Sequence, residues 1–232
     1  TYTQELDFIQ IIEVPFNNKG KIDLEFLDKH MDGDTCCLIF GYPNFFGIIE
    51  EAQILVDMAK RKEVLTISVC NPLSLSILEA PGNIGVDICC GDGQSLGQDM
   101  YFGGNTFGFL SAKERFLRKM PGRIVGKTKD TQGKEGFILT LQAREQHIRR
   151  EKATSNICSN QSLNALGACV YLALLGREGL RKIALICLNH AHYLQEKLLE
   201  IEGIEEVFCK DFFHEFVIRI KDCLLYTSPS PR

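Results

Sequence analysis

Apolar residues come in short continuous runs through the first half of the chain, separated by segments with a helical period. DFIQIIEVPF (7–16), TCCLIFGY (35–42), VLTISV (64–69) and VDICC (86–90) read as strands, since they are rich in β-branched, aromatic and other apolar residues. DLEFLDKHM (23–31) and IIEEAQILVDMAKRK (48–62) read as helices, the second amphipathic with the basic end that the helix dipole favours. A short helical turn is expected around LSLSIL (73–78). Continuous apolar strands alternating with helices predict a parallel sheet covered on both faces.

The second half is organised differently. FGFLSA (107–112) reads as a further strand, and KERFLRKM (113–120) as a basic helical segment stopped by Pro121-Gly122. Two helices follow from residue 161. The second carries a stripe of Leu180, Ile183, Ala184, Cys187, Ala191, Leu194 and Leu198, with Gly203 expected as its C′ glycine. IEEVFC (204–209) and EFVIRI (215–220) read as strands of a smaller α+β domain. CLLYTSPSPR (223–232) has Ser-Pro repeats and no period, and is read as foreign to the fold. The expected division is a partial large domain over 1–160, interdomain helices and the start of a small domain over 161–222, and that tail.

Composition narrows the function. A chain of 232 residues with 24% charged residues and a net charge of −4 is ordinary globular material, which argues against a general binder of nucleic acid or membrane surfaces. The apolar run LGACVYLALL (166–175) is far short of the roughly 20 residues that span a bilayer. The start TYTQELDFIQ has no basic lead into an apolar run, so no secretory signal is expected. The 10 cysteines form no CxxC pair, and they read as small buried hydrophobes of a reducing cytoplasm. His190 and His192 fall ~200° apart on a helix, so no metal is expected there.

Three segments hold candidate chemistry. GDGQSLG (91–97) follows a strand with the spacing GxGxxxG, a loose relative of the dinucleotide fingerprint. It leads into QDMYFGG instead of a helix, and Glu114 opens a helix where an acidic strand end is needed, so an NAD(P) site is disfavoured. QAREQHIRREKATSNICSNQ (142–161) concentrates anion-binding groups, with Arg144, His147, Arg149, Arg150, Lys152 and Asn156 as candidate substrate or partner contacts. A solvated helix face is the competing reading of that segment. KERFLRKMPGRIVGKTK (113–129) has seven basic residues, Arg115 and Arg118 among them, against one acidic residue. It reads as a basic stripe that recruits an acidic partner, contacts another subunit, or is merely solvated.

Longer runs are more specific. NPLSLSILEAPGNIGVDICCGDGQSLG, FGGNTFGFLSAKERFLRKMPGRIVG and GFILTLQAREQHIRREKATSNICSNQSLNALGACVYLALLGREGLRKIA together resemble one family, the glycine cleavage system P-protein, or glycine dehydrogenase (decarboxylating). The similarity spans about residues 1–222 and is greatest to the amino-terminal-type half, which many bacteria make as a separate subunit 1. The resemblance implies a fold-type-I, aminotransferase-like large domain with a smaller C-terminal domain. It also implies cytoplasmic work in an α/β heterotetramer, where glycine is decarboxylated on pyridoxal 5′-phosphate (PLP) and the aminomethyl group passes to the lipoyl arm of the H-protein. The PLP-bearing relatives place their Schiff-base lysine where this chain has Gln94. An amide nitrogen cannot take that role, because its lone pair is delocalised into the carbonyl. The resemblance therefore implies a relic loop at Asp92, Gly93, Gln94 and Ser95, no catalytic residue in this chain, and PLP carried by subunit 2. A purely structural or regulatory partner subunit is the alternative.

Overall fold

The structure is a computed structural model that describes residues 6–100, 102, 104, 106–122, 124–141, 146–153, 161–208 and 210–221. Helix α1 (Leu24–His30) begins at Asp23, whose carboxylate accepts from the backbone N–H groups of Glu25 and Phe26. Lys29 and His30 sit in its last turn, where positive charge is favoured. Strand β1 (Cys37–Tyr42), helix α2 (Ala52–Arg61), strand β2 (Leu65–Cys70), helix α3 (Pro81–Ile84) and strand β3 (Ile88–Asp92) then alternate. Strand β4 (Gly108–Ala112) completes a sheet in the order β1-β2-β3-β4. The first three strands are parallel and β4 is antiparallel to β3.

The sheet buries one face. Leu38, Phe40 and Tyr42 of β1, Cys70 of β2 and Cys89 of β3 join Leu55, Val56, Met58 and Ala59 of α2 in a single core. The opposite face was expected to be covered too, and among the described residues it is not. Ile39 is 60% exposed, Val69 45% and Leu110 40%. The side chains of a strand alternate in direction, so the residues that α2 does not reach point the other way.

Other expectations need correction. Residues 7–16 form no strand, only a bridge from Phe16 to Ile22, and Phe8, Ile9, Ile11 and Ile12 are exposed. An apolar run becomes a strand only where a neighbouring edge accepts its hydrogen bonds. The helical segment expected over 113–120 is present as a 3₁₀ helix (Glu114–Lys119), but the rest of the basic run forms an unexpected strand β5 (Ile124–Lys129), which pairs antiparallel with strand β6 (Glu135–Thr140). The Asp130 carboxylate, accepting from the backbone of Gln132 and Lys134, closes the hairpin, with Gly133 at φ 80°. Helix α4 (Gln146–Arg149) is a single turn.

Helix α5 (Ser162–Leu199) is two helices meeting at Gly176, whose φ of 60° and ψ of −174° are not helical. The stripe on the second helix holds at Ala184 and Ala191, which are buried. It fails at Leu194, which is 51% exposed while Gln195 beside it is buried. The helix is capped at Glu200, so Gly203, at φ 88°, shapes the turn into strand β7 (Ile204–Glu206) and not the helix end. Strand β8 (Ile218–Ile220) pairs antiparallel with β7. Phe212 and Phe213, both wholly buried, pin this C-terminal part to the loop after β1. There Ile49 N–H donates to Asp211 O (2.7 Å) and Phe213 N–H donates to Gly47 O (3.1 Å). His192 stacks on the Phe212 ring at 3.9 Å, with Nε2 3.0 Å from the Phe212 carbonyl oxygen.

Candidate functional site

The carboxyl ends of β1, β2 and β3 meet around a cavity of about 280 Å³, where ligands of open parallel sheets bind. Pro43, Val69, Cys70, Asn71, Asp92, Gln94 and Ser95 line it. Each lining group lies at or just beyond a strand end. Gly91 is required for this closeness, since a Cβ there would collide with the Cys70 carbonyl oxygen and the Phe109 ring.

Hydrogen bonds fix the loop 91–97. Asp92 Oδ1 accepts the Gln94 N–H at 2.7 Å, an Asx turn, and Oδ2 accepts the Thr106 hydroxyl. The Ser95 hydroxyl donates to Asn71 Oδ1 at 3.1 Å, and the same oxygen accepts the Leu73 N–H. Gln94 Nε2 donates to the Gln98 carbonyl at 2.9 Å, while Gln98 Nε2 donates to Asn164 O at the start of α5. Gln94 is therefore a loop-closing residue, with its amide nitrogen bonded inside the loop.

These residues do not fit a covalently held PLP. Among the described residues, the lining has no lysine or arginine to take a phosphate and has one carboxylate, Asp92. Lys113, the lysine nearest in sequence, points elsewhere and donates to Gly85 O and Asp87 Oδ1.

Asp87 organises a second, ionic cluster at the other end of β3. Its carboxylate is only 8% exposed and accepts from the Thr66 N–H (3.0 Å) and hydroxyl (3.2 Å), from Lys113 (2.9 Å) and from Arg115 (2.7 Å). Burial pushes its pKa up, but the Lys113 hydrogen bond, the Thr66 N–H and the two positive charges outweigh that and hold it below the ordinary value. Two charges of the basic run are thus bonded within the fold, whereas Arg118 stands exposed.

In the charged segment, His147, Arg149, Arg150 and Lys152 are exposed and none lines the cavity, while Arg144 and Asn156 lie outside the described residues. The cysteine reading holds for Cys70 and Cys89, which are buried, and fails for Cys36 and Cys169, which are exposed. Sequence reading missed Pro43, Val69, Cys70 and Asn71 as site residues. The available signal was Asn71-Pro72 just past the end of a strand, a place where chains turn.

A parallel sheet with one antiparallel strand, and a glycine-rich loop at its strand ends, has the fold-type-I, aminotransferase-like architecture of the structures it superposes on. A model of the family "Glycine cleavage system P-protein" matches residues 1–226. A probable glycine dehydrogenase (decarboxylating) subunit 1 from Moorella thermoacetica is 52% identical over 213 residues, covering 92% of this chain and 48% of that protein. Its counterpart from Carboxydothermus hydrogenoformans is 49% identical with the same coverage. A crystal structure of glycine decarboxylase (P-protein) of the glycine cleavage system, in inhibitor-bound form, superposes with a TM-score of 0.87 at 43% identity, over 92% of this chain and 48% of that one. A sphingosine-1-phosphate lyase from Burkholderia pseudomallei, with a TM-score of 0.56 and 17% identity, shares the fold alone. The chain belongs to the glycine cleavage system P-protein family, and it spans about half the length of the relatives it matches.

Proposed function

We propose that this chain is part of subunit 1 of a glycine decarboxylase, the half that anchors no cofactor. The single observation that carries this reading is Gln94. It closes the strand-end loop through the Gln98 carbonyl, and among the described residues the cavity it lines has no cationic side chain. In this reading PLP sits on subunit 2 and supplies the electron sink for the decarboxylation of glycine. The lipoyl arm of the H-protein accepts the aminomethyl group. This half supports the complex, and its basic stripe and the segment around Arg144, His147, Arg149, Arg150, Lys152 and Asn156 meet the partner subunit or the carrier.

Two measurements test the reading. Borohydride reduction of the chain with PLP, followed by peptide mass mapping, is expected to label no lysine stoichiometrically; stoichiometric labelling at Lys113 or Lys152 overturns it. Exchange of ¹⁴CO₂ with glycine by subunit 2 is expected to need the full-length form of this subunit. Full exchange by subunit 2 alone leaves only the structural-partner alternative.

A further inference from the structure

The first half of α5, SLNALGACVYLALL (162–175), has no charged side chain, yet it meets the rest of the described fold along one narrow edge. Asn164, Ala168, Tyr171 and Leu175 share that edge at helical spacing and are its buried or half-buried positions. Asn164 Nδ2 donates to Thr106 O, the Asn164 carbonyl accepts from Gln98 Nε2, and the Tyr171 ring lies against Gly97. The opposite side carries Leu163, Leu166, Val170 and Ala173, with Leu174 beside them, all exposed. The leucines and the valine of this group are 51–82% exposed. In the second half of α5, by contrast, Arg181, Lys182, Glu196 and Lys197 face solvent. A helix that is apolar all round belongs in an interior, and among the described residues nothing encloses this one.

We propose that residues 162–175 are a docking helix for subunit 2, and that the partner surface they meet is itself an apolar helix. The proposal rests on the reading of this chain as part of subunit 1. Leu163, Leu166, Val170 and Ala173 follow one another at intervals of three, four and three, the seam of a helix that packs on another at about 20°.

Size and position favour a second subunit as the occupant. The exposed side chains form an apolar patch on the order of 500 Å², at the upper end of what ordinary monomers leave open. That is most of the apolar centre of an interface of about 800 Å² per partner, and interface centres are likewise poor in charge. The inner edge is already bonded to this chain's own strand-end loop, and the seam faces directly away from it, open to docking from outside. The helix also begins directly after the cationic segment 142–161, which would supply the polar rim of the same contact. Among the described residues no helix is long and apolar enough to cross a membrane, so lipid is not the occupant.

Cys169, exposed in the middle of the helix, reports its coverage, and exposed Cys36 is the control. Full-length subunit 1 is pulse-alkylated with N-ethylmaleimide, alone over a range of concentrations and then with subunit 2, and labelling is read by peptide mass. Cys169 is expected to react in subunit 1 alone and at least tenfold more slowly in the complex, with Cys36 unchanged. Leu166→Asp is expected to weaken association at least tenfold by sedimentation and to leave the thermal midpoint of free subunit 1 unchanged. Shielding of Cys169 in subunit 1 alone at every concentration assigns the seam to the rest of the same chain. Shielding that grows with concentration assigns it to a second copy. Either result overturns the proposal, as does a lowered midpoint for Leu166→Asp, which would place that residue in the subunit's own core. A formed complex in which Cys169 stays reactive, or normal association of Leu166→Asp, overturns this inference alone. Failure of the two intact subunits to associate at all overturns the subunit reading with it.

Discussion

At the scale of single residues, Asp87 has the most concentrated effect. It ties β2, through Thr66, to the segment after β4, through Lys113 and Arg115. Asp87→Asn removes a charged acceptor of several hydrogen bonds, so unfolding in urea is expected to shift by about 1.5–3 kcal/mol. Exposure of Lys113 and Arg115 places the effect below that of a fully buried ion pair. Its pH dependence has a definite sign. The folded carboxyl sits below its ordinary value, so its contribution is present above the unfolded pKa of about 3.9 and is lost as pH falls through the folded value. The mutational difference should therefore shrink on acidification, measured from urea midpoints between neutral and acid pH. A difference that stays constant assigns the role of Asp87 to packing. Glu50 behaves in the opposite sense: burial raises its pKa against the hydrogen bond from Asn44, so its contribution is present below the unfolded value and is lost as pH rises through the folded one.

At the scale of elements, the junction between the first sheet and the C-terminal part depends on Gly47. Its φ of 80° is unfavourable for any residue with a Cβ, and a Cβ there would strike the Glu215 carbonyl oxygen. Gly47→Ala is expected to cost about 1–3 kcal/mol and to act mainly on residues 211–221, whose hold on the β1 loop runs through this point. Limited proteolysis should cut that stretch earlier than in the parent while the β1–β4 sheet keeps its protection. Uniform loss of protection would mean that the two parts unfold as one unit. The hairpin β5–β6 shows the same lesson from the other side. Its signal was an Asp-Thr-Gln-Gly turn at 130–133, just past a run that charge alone had marked as a stripe.

For the whole molecule, the distribution of positive charge matters most. Steering of a charged carrier acts through exposed charges and is screened beyond roughly 8–10 Å at physiological salt. Arg115 lies against Asp87, so reversing it disturbs the fold as well as the field, whereas Arg118 carries the field alone. In the reconstituted complex, kcat/KM for the carrier is expected to fall as salt rises, and Arg118→Glu should flatten that slope while the assembly state stays constant. Dissociation of the subunits by Arg118→Glu would instead assign the stripe to the subunit interface, and no change in either would leave it a solvated face.

The order of strands and helices from Asp23 to Cys90, apart from the short helix α3, was legible in the sequence, as were the glutamine in the strand-end loop and the family. Each is carried by local pattern: continuous apolar runs, an amphipathic period and long specific motifs read without knowing what they touch. Tertiary structure alone decided the rest. Whether residues 7–16 pair, which face of the sheet is covered, whether Leu194 or Gln195 turns inward, and that Lys113 and Arg115 converge on Asp87 all depend on contacts between distant segments. The same is true of the cavity, which Asn71 and Cys70 share with Gln94 only because parallel strands bring their carboxyl ends together. Side chains more than 20 residues apart meet there through hydrogen bonding between backbones, and the pattern along one strand does not say which strand lies beside it.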